Sequence, residues 1–251
     1  MVAWSCNTFA HQIFSLELDR RKIDNPEIVG ARELLRLGFV KFFAFLCALA
    51  IAACAYWYFH KAITYPPGVL IADEPSQIML PKDTAAFSYG GFRLKPLAVF
   101  SIDARVLHRK KYRYDKEAAL VPVDLALGWG PMSDQHVLNQ LNITQSMRFY
   151  WYEYEKQPPI PVDQIVAHST NVHIIPATKA VAARCNSLRE GSLVHLSGDL
   201  VEASGPNIPA WRSSLSRTDT GNGACELMWV KELSIMNEKD LQDRQSTVVS
   251  R

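Results

Sequence analysis

The sequence predicts a mainly β (α+β) domain carried behind one transmembrane helix. Three observations lead there. Residues 42–59, FFAFLCALAIAACAYWYF, run without a charge, close to the ~20 apolar residues that cross a bilayer core. From residue 97 onward, several separate runs place apolar side chains at every second position, the period of a half-buried strand. Only two short stretches between them carry helical spacing. Charged residues make up 21% and the net charge is +2, which excludes a disordered chain and gives no electrostatic basis for a nucleic-acid partner. Five cysteines in 251 residues exclude a disulfide-dense scaffold, and no fixed-period repeat marks a solenoid.

The elements follow in order. Residues 1–36 form a mixed N-terminal segment. Within it Asn25-Pro26-Glu27 reads as a helix cap, a first-turn proline and a dipole-matched acid. The predicted span is 37–61: Lys41 snorkels, and Tyr56, Trp57, Tyr58 and Phe59 suit the headgroup level. Arg20, Arg21, Lys22, Arg32, Arg36 and Lys41 precede its centre, whereas only Lys61 follows up to residue 80. That bias predicts a cytoplasmic N-terminus and an exported C-terminal part. The apolar run begins too late for a cleaved signal peptide. Ile51-Ala52-Ala53-Cys54 fits a lipobox, an alternative in which Cys54 becomes a lipidated N-terminus.

Residues 62–95, with Pro66, Pro67, Pro75 and Pro81, read as an extended connector. Strands are predicted over 97–107 (Ala98, Phe100, Ile102, Ala104, Val106 inward), 119–129 (Val121, Val123, Leu125, Leu127, Trp129 inward), 143–154, 164–175, 193–202 and 225–233. Gly198 permits a bend or bulge. Helices are predicted over 133–141, capped by Ser133, and over 178–190, capped by Thr178 and stopped by Gly191. Three strands, a helix and two strands, with an insertion near 130–155, is the order of an OB-like small β-barrel; a β-sandwich is the alternative. The domain is placed at 96–235 and a disordered tail at 236–251.

The strings PPGVLIADEPSQ, PVDLALGWGPMSD, HSTNVHIIPA and WRSSLSRTDTGNGACELMWV resemble an uncharacterised family of bacterial single-span membrane proteins with an exported β-rich domain. The resemblance covers about residues 65–233. It implies a bacterial inner-membrane protein with a periplasmic domain, and it implies no activity and no residue roles.

Candidate chemistry is sparse. His168 and His173 are candidate metal ligands, but a spacing of five on a strand puts them on opposite faces, and no metal-ligand motif accompanies them. Cys225 is a candidate nucleophile with His168 or His173 as a candidate base. Cys185 and Cys225 are thiols of the exported part and a candidate disulfide. Trp129, Phe149, Tyr150, Trp151, Tyr152 and Tyr154 are too many aromatics for one core face. Trp129, Tyr150, Trp151, Tyr152, His168 and His173, with Arg217 and Asp219 in the polar loop before the last strand, are therefore candidates for ligand or partner binding. The basic run Arg105, His108, Arg109, Lys110, Lys111, Arg113 reads as a solvated hairpin or as a contact for anionic headgroups. The sequence thus predicts a membrane-integral, non-enzymatic binding or scaffold module with an envelope protein partner and no cofactor. The alternative is a tethered hydrolase or transpeptidase using Cys225 or a His168/His173 metal.

Overall fold

A computed structural model describes residues 26–216, 219, 221, 223–237 and 240, with only the backbone course for 26–34 and 60. The chain divides into two compact units, one ending at His60 and the other starting at Lys61.

The first unit contains helix α1, Pro26–His60. Its segment Leu35–Phe59 carries only Arg36 and Lys41 as charges, near its start, and contains an 18-residue stretch of mean hydropathy 2.3, none of it buried in protein. At about 1.5 Å per residue it exceeds the ~30 Å hydrocarbon thickness. It is long and apolar enough to cross a membrane. Phe39, Phe42, Phe45 and Ile51 lie exposed along it, so apolar residues point in every direction, as in a helix solvated by lipid.

The second unit is mainly β. Its strands are β1 (Ser76–Met79), β2 (Phe87–Tyr89), β3 (Phe92–Lys111), β4 (Val123–Gly128), β5 (Asn142–Ser146), β6 (Phe149–Glu153), β7 (Ser169–Pro176), β8 (Leu193–Gly205), β9 (Ile208–Arg212) and β10 (Glu226–Met236). Short helices α2 (Gln135–Leu138), α3 (Val162–Ala167) and α4 (Lys179–Ser187) lie between them. The long strand β3 pairs antiparallel with β4 and also with β8. β4 pairs with β7, β7 runs parallel to β10, and β10 returns antiparallel to β8. Pairing therefore runs β3–β4–β7–β10–β8 and back to β3. β1 and β2 pair with β3, β9 pairs with β8, and β5–β6 form a separate hairpin.

The alternation read from the sequence places the core. Ala98, Phe100, Ile102, Ala104 and Val106 on β3 join Leu125, Leu127, Trp129, Val172, Ile174, Leu196, Leu200 and Met228 in one buried cluster. At Lys231 the register of β10 against β8 shifts by one residue, so the alternation predicted there breaks. Gly198 permits that bulge: a Cβ on it would sit 2.0 Å from the Trp229 carbonyl oxygen. β4 and β7 are buried on both faces: residues 130–167 cover Ala126, while Ile175 joins Phe92, Leu94, Leu120, Val121, Val201 and Leu227 in a separate cluster and His173 packs on Trp211. Leu107, Ala126, Met132, Val137 and Ile165 form a second small core there.

Several expectations are corrected. Residues 164–168 are not strand: α3 occupies 162–167 and β7 starts at Ser169. A short apolar run after prolines fits either period, and Ile165 buries as a helical residue. Ser133 does not cap the helix after it. Asp134 does, accepting from the His136 amide at 2.8 Å, and α2 is only Gln135–Leu138. The stretch 143–154 is not one strand but the hairpin β5–β6. The tail predicted from 236 starts one residue too early, since Met236 ends β10 and is buried in the main core; most of 237–251 lies outside the described residues.

Residues 62–95 are not a connector ahead of a domain starting at 96: they hold β1, β2 and the first residues of β3, and even the stretch before β1 is tied down. The Ile63 amide donates to Glu190 O, Tyr65 N to Gln135 Oε1 at 3.0 Å, Gly68 N to Asp134 Oδ1 at 2.9 Å, and Leu70 N and Ile71 N to the Ser133 hydroxyl. Arg105, only 3% exposed, donates to Ser133 O and Gln135 Oε1 and lies under the Tyr65 ring. Gly191 closes the clasp. Its φ is +83°, and a Cβ would fall 1.9 Å from Ile63 O. Gly191→Ala is therefore expected to cost about 2 kcal/mol or more and to expose 63–71 to protease. A urea midpoint and limited proteolysis of the full chain check this; an unchanged cleavage pattern contradicts the clasp.

Candidate functional site

The site is built around a hairpin turn. Ser146 pairs with Phe149, so Met147 and Arg148 are the two central residues, with φ of 49° and 69°. A two-residue hairpin prefers such left-handed values, but usually with Asn or Gly. Non-glycine residues pay about 1 kcal/mol or more for them. What holds the turn is the Arg148 side chain, which is mostly buried, 13% exposed. Its Nε donates to Asp115 Oδ2 at 2.8 Å, and its Nη1 donates to Asp124 Oδ1 at 2.9 Å and to Val121 O at 3.0 Å. The guanidinium carbon stands 3.7 Å from the Tyr112 ring centre. The Arg148 amide donates to the Tyr112 hydroxyl, and its carbonyl accepts from Asn171 Nδ2 at 2.9 Å.

Asp124 is wholly buried near the start of β4. His173 Nδ1 lies 3.0 Å from Asp124 Oδ1, but off the hydrogen-bonding direction. The His173 ring packs on Trp211, with centroids 4.6 Å apart. A polar chain continues from this socket: Gln145 Nε2 donates to Asn171 Oδ1, and Gln145 Oε1 meets His108 Nδ1 at 2.9 Å.

The anchored hairpin roofs a cavity of about 200 Å³. That is below the ~300–1,000 Å³ of drug-sized sites, so it suits one side chain or a small group. Trp129, Phe149, Tyr150 and Tyr152 supply aromatic walls; Thr170, Asn171, Asp219, Cys225 and Glu226 supply polar ones. Glu226 is 1% exposed and accepts from the Thr170 hydroxyl. Ser214 Oγ donates to Asp219 Oδ2 at 2.6 Å, which folds the polar loop onto the cavity. The Tyr150 hydroxyl meets Ser169 Oγ at 2.5 Å. Burial raises the Tyr150 phenol to about 12 and the Cys225 thiol to about 11.

The candidates from the sequence therefore separate. Trp129, Tyr150, Tyr152, Asp219 and Cys225 converge on the cavity. Trp151 points away from it, half exposed, with its indole on Ser146. His168 faces Glu74, which also accepts from Trp129 Nε1 at 2.8 Å. His173 faces Asp124, so the two imidazoles do not converge. Among the described residues no group of three or more His, Cys, Asp or Glu side chains is placed to hold a metal ion. Arg217 lies outside the described residues. Cys225 Sγ has Asn171 Nδ2 at 3.6 Å and Arg148 O at 3.9 Å. An amide and a carbonyl do not activate a thiol, and the raised pKa keeps it protonated at neutral pH. The disulfide expectation is corrected: Cys185 is a free thiol in the main core, pushed up to about 12 by burial, and Cys225 is a free thiol at the cavity.

Nothing local in the sequence singles out Arg148 or Asn171. One signal pointed toward the first. Asp124 interrupts the apolar run 121–129, and a carboxylate inside a buried strand demands a partner.

Comparison of the chain with protein-family models, with curated proteins and with solved structures finds no match.

Two outcomes follow from this geometry. Arg148→Met leaves Asp124 buried without its partner and is expected to cost about 3–5 kcal/mol. Adding Asp124→Leu should restore much of it, as read by chemical denaturation; equal losses in the single and double variants contradict the pairing. The second concerns alkali. Cys185, Cys225 and Tyr150 have folded pKa values above their ordinary ones. Their neutral forms favour the fold fully below pH about 9, and that contribution is lost as pH rises toward about 12. Urea midpoints should be flat below pH about 9 and fall above it, and Cys225→Ser should lessen the fall.

Proposed function

We propose that this chain is a single-pass, membrane-anchored binding module of a bacterial envelope complex. Its β-rich domain is an OB-type barrel, exported to the periplasm, and it performs no catalysis. The observation that carries the reading is the cavity roofed by the aromatic hairpin β5–β6, set against β7 and the start of β10. The barrel assignment is supported by the pairing circuit: β3, β4, β7, β10 and β8 in that spatial order, β7 parallel to β10, and α4 between β7 and β8. This is the Greek-key order of an OB barrel, whose ligands bind across the second and third strands and the flanking loops. β4 and β7 hold those places here. Export is supported by the excess of Lys and Arg before the apolar helix.

The cavity offers aromatic faces for stacking and fixed polar groups for orientation, the composition of a small-group recognition site. A protein partner would insert one side chain there, with Trp151 as an exposed aromatic beside it. The hydrolase or transpeptidase alternative requires an ionised Cys225 or a shared histidine metal, and its signature is chemical reactivity rather than binding.

The test places a photo-crosslinking amino acid at Tyr152 or at Asp83 of the full chain in its native membrane. A discrete heteromeric adduct from position 152, absent from 83, is expected. No adduct, together with rapid alkylation of Cys225 at neutral pH, would overturn the binding reading in favour of chemistry.

A further inference from the structure

The basic run on β3 separates by burial. Arg105 is buried at the clasp, and Arg109 donates to the Cys185 and Asn186 carbonyls at the end of α4. Lys110, Lys111, Arg113 and Lys116 remain exposed. Tyr114 among them is 97% exposed. Met147, 78% exposed, sits on the hairpin turn that Arg148 ties to Tyr112 and Asp115. The acids nearby are occupied or turned in: Asp115 pairs with Arg148, Glu190 faces His108, and Glu117 is half-buried. The result is a cationic rim with an aromatic and a thioether at its tip. Burial lowers the Lys111 pKa, and the neighbouring charges of Arg109 and Arg113 lower it further, as expected where like charges crowd.

The position of this rim in the domain carries the argument. The chain joins the domain at Ile63, three residues after the apolar helix ends at His60. The Ile63 amide donates to Glu190 O at 2.8 Å, and Glu190 Oε1 lies 3.5 Å from His108 Nε2. Lys110 is two residues further along the same strand, about 7 Å. The end of the domain that receives the chain from the helix is therefore the end that carries the exposed cations.

We propose that this rim rests on the anionic phospholipid headgroups of the membrane that α1 crosses, with Tyr114 and Met147 at the headgroup level. The docked strap leaves little slack, so the rim is held at high effective concentration near the bilayer. Each Lys or Arg near an anionic surface then adds attraction that salt screens. Exposed aromatic and apolar side chains beside cations suit that interface. This contact orients the domain and leaves the hairpin cavity for a partner. It rests on the membrane-anchor part of the function proposed above and not on the binding part.

The experiment uses the full chain in vesicles recovered by flotation, which reports insertion of α1 by itself; a chain that does not float overturns the anchor and the contact together. A fluorescent amino acid is placed at Tyr114 or, as a distal site, at Asp83, and quenched by nitroxide-labelled headgroups. In phosphatidylcholine vesicles with about one third phosphatidylglycerol, position 114 should be quenched well beyond position 83. The difference should disappear in pure phosphatidylcholine, in high salt, and in the variant K110E/K111E/R113E. Equal quenching at both positions, or quenching at 114 that ignores the charge reversal, overturns the proposal. Loss of the crosslink at Tyr152 with intact quenching at 114 would count against the binding reading alone.

Discussion

The buried contact between Arg148 and Asp124 is the constraint on which the accessory parts of the domain depend. A buried ion pair is a poor source of net stability, since both groups give up their hydration. Its value is in specification. The guanidinium fork must meet Asp115, Asp124 and the Val121 carbonyl together, over the Tyr112 ring. Only one register of β5–β6 delivers it. A slip of the hairpin would leave Asp124 buried at the start of β4 without the guanidinium, and that penalty excludes the slipped state. Phe149, Tyr150 and Tyr152 follow directly after the anchored residue, so their place above the cavity is inherited from the arginine.

The strap at 63–71 works by a different route to the same end. It has no apolar periodicity, and its prolines forbid regular pairing, so it reads as a loose connector. Its amides nevertheless meet side-chain acceptors, namely Gln135, Asp134 and Ser133, from the loop that follows β4. Those three residues explain the shape of that loop better than helix formation does. Ser133 Oγ is engaged by the strap and by the Gly130 carbonyl, whereas Asp134 Oδ1 accepts from both the strap's Gly68 amide and the His136 amide, so one carboxylate ties the strap and caps the helix.

What was legible in the sequence is what local pattern determines. The inward sets Ala98–Val106 on β3 and Val123, Leu125 and Leu127 on β4 are legible because their period is two, but Val121, read into the second set, precedes β4 and joins a different cluster. Gly198 marked the bend because the chain there must approach Trp229 closely. Thr178 was readable as a cap because its hydroxyl acts within three residues. The failures are non-local. Residues 164–168 carry too few apolar positions to separate helix from strand, and burial of Ile165 under the insertion decides. The short edge strands β1, β2 and β9 owe their existence to β3 and β8, not to their own composition. At the site, Tyr150, Tyr152 and Trp129 stood out by residue type alone. Arg148 did not, because its partner Asp124 is 24 residues away and the turn it occupies lacks the usual glycine.

These contacts also determine how the cavity behaves. An apolar roof over an apolar floor can part and reseal at modest cost, because dispersion contacts have no preferred register. This roof cannot. Raising β5–β6 withdraws Arg148 from Asp124, strips Asn171 of the Arg148 carbonyl, and breaks the Gln145–Asn171 bond in the same movement. Each loss leaves a buried polar group without a partner, and the losses cannot be taken one at a time. The hairpin is therefore a wall and not a lid. A wall held by polar groups keeps its shape when the site is empty, so little binding energy is spent on ordering it. That economy lowers the ordering cost for any small group that enters the cavity.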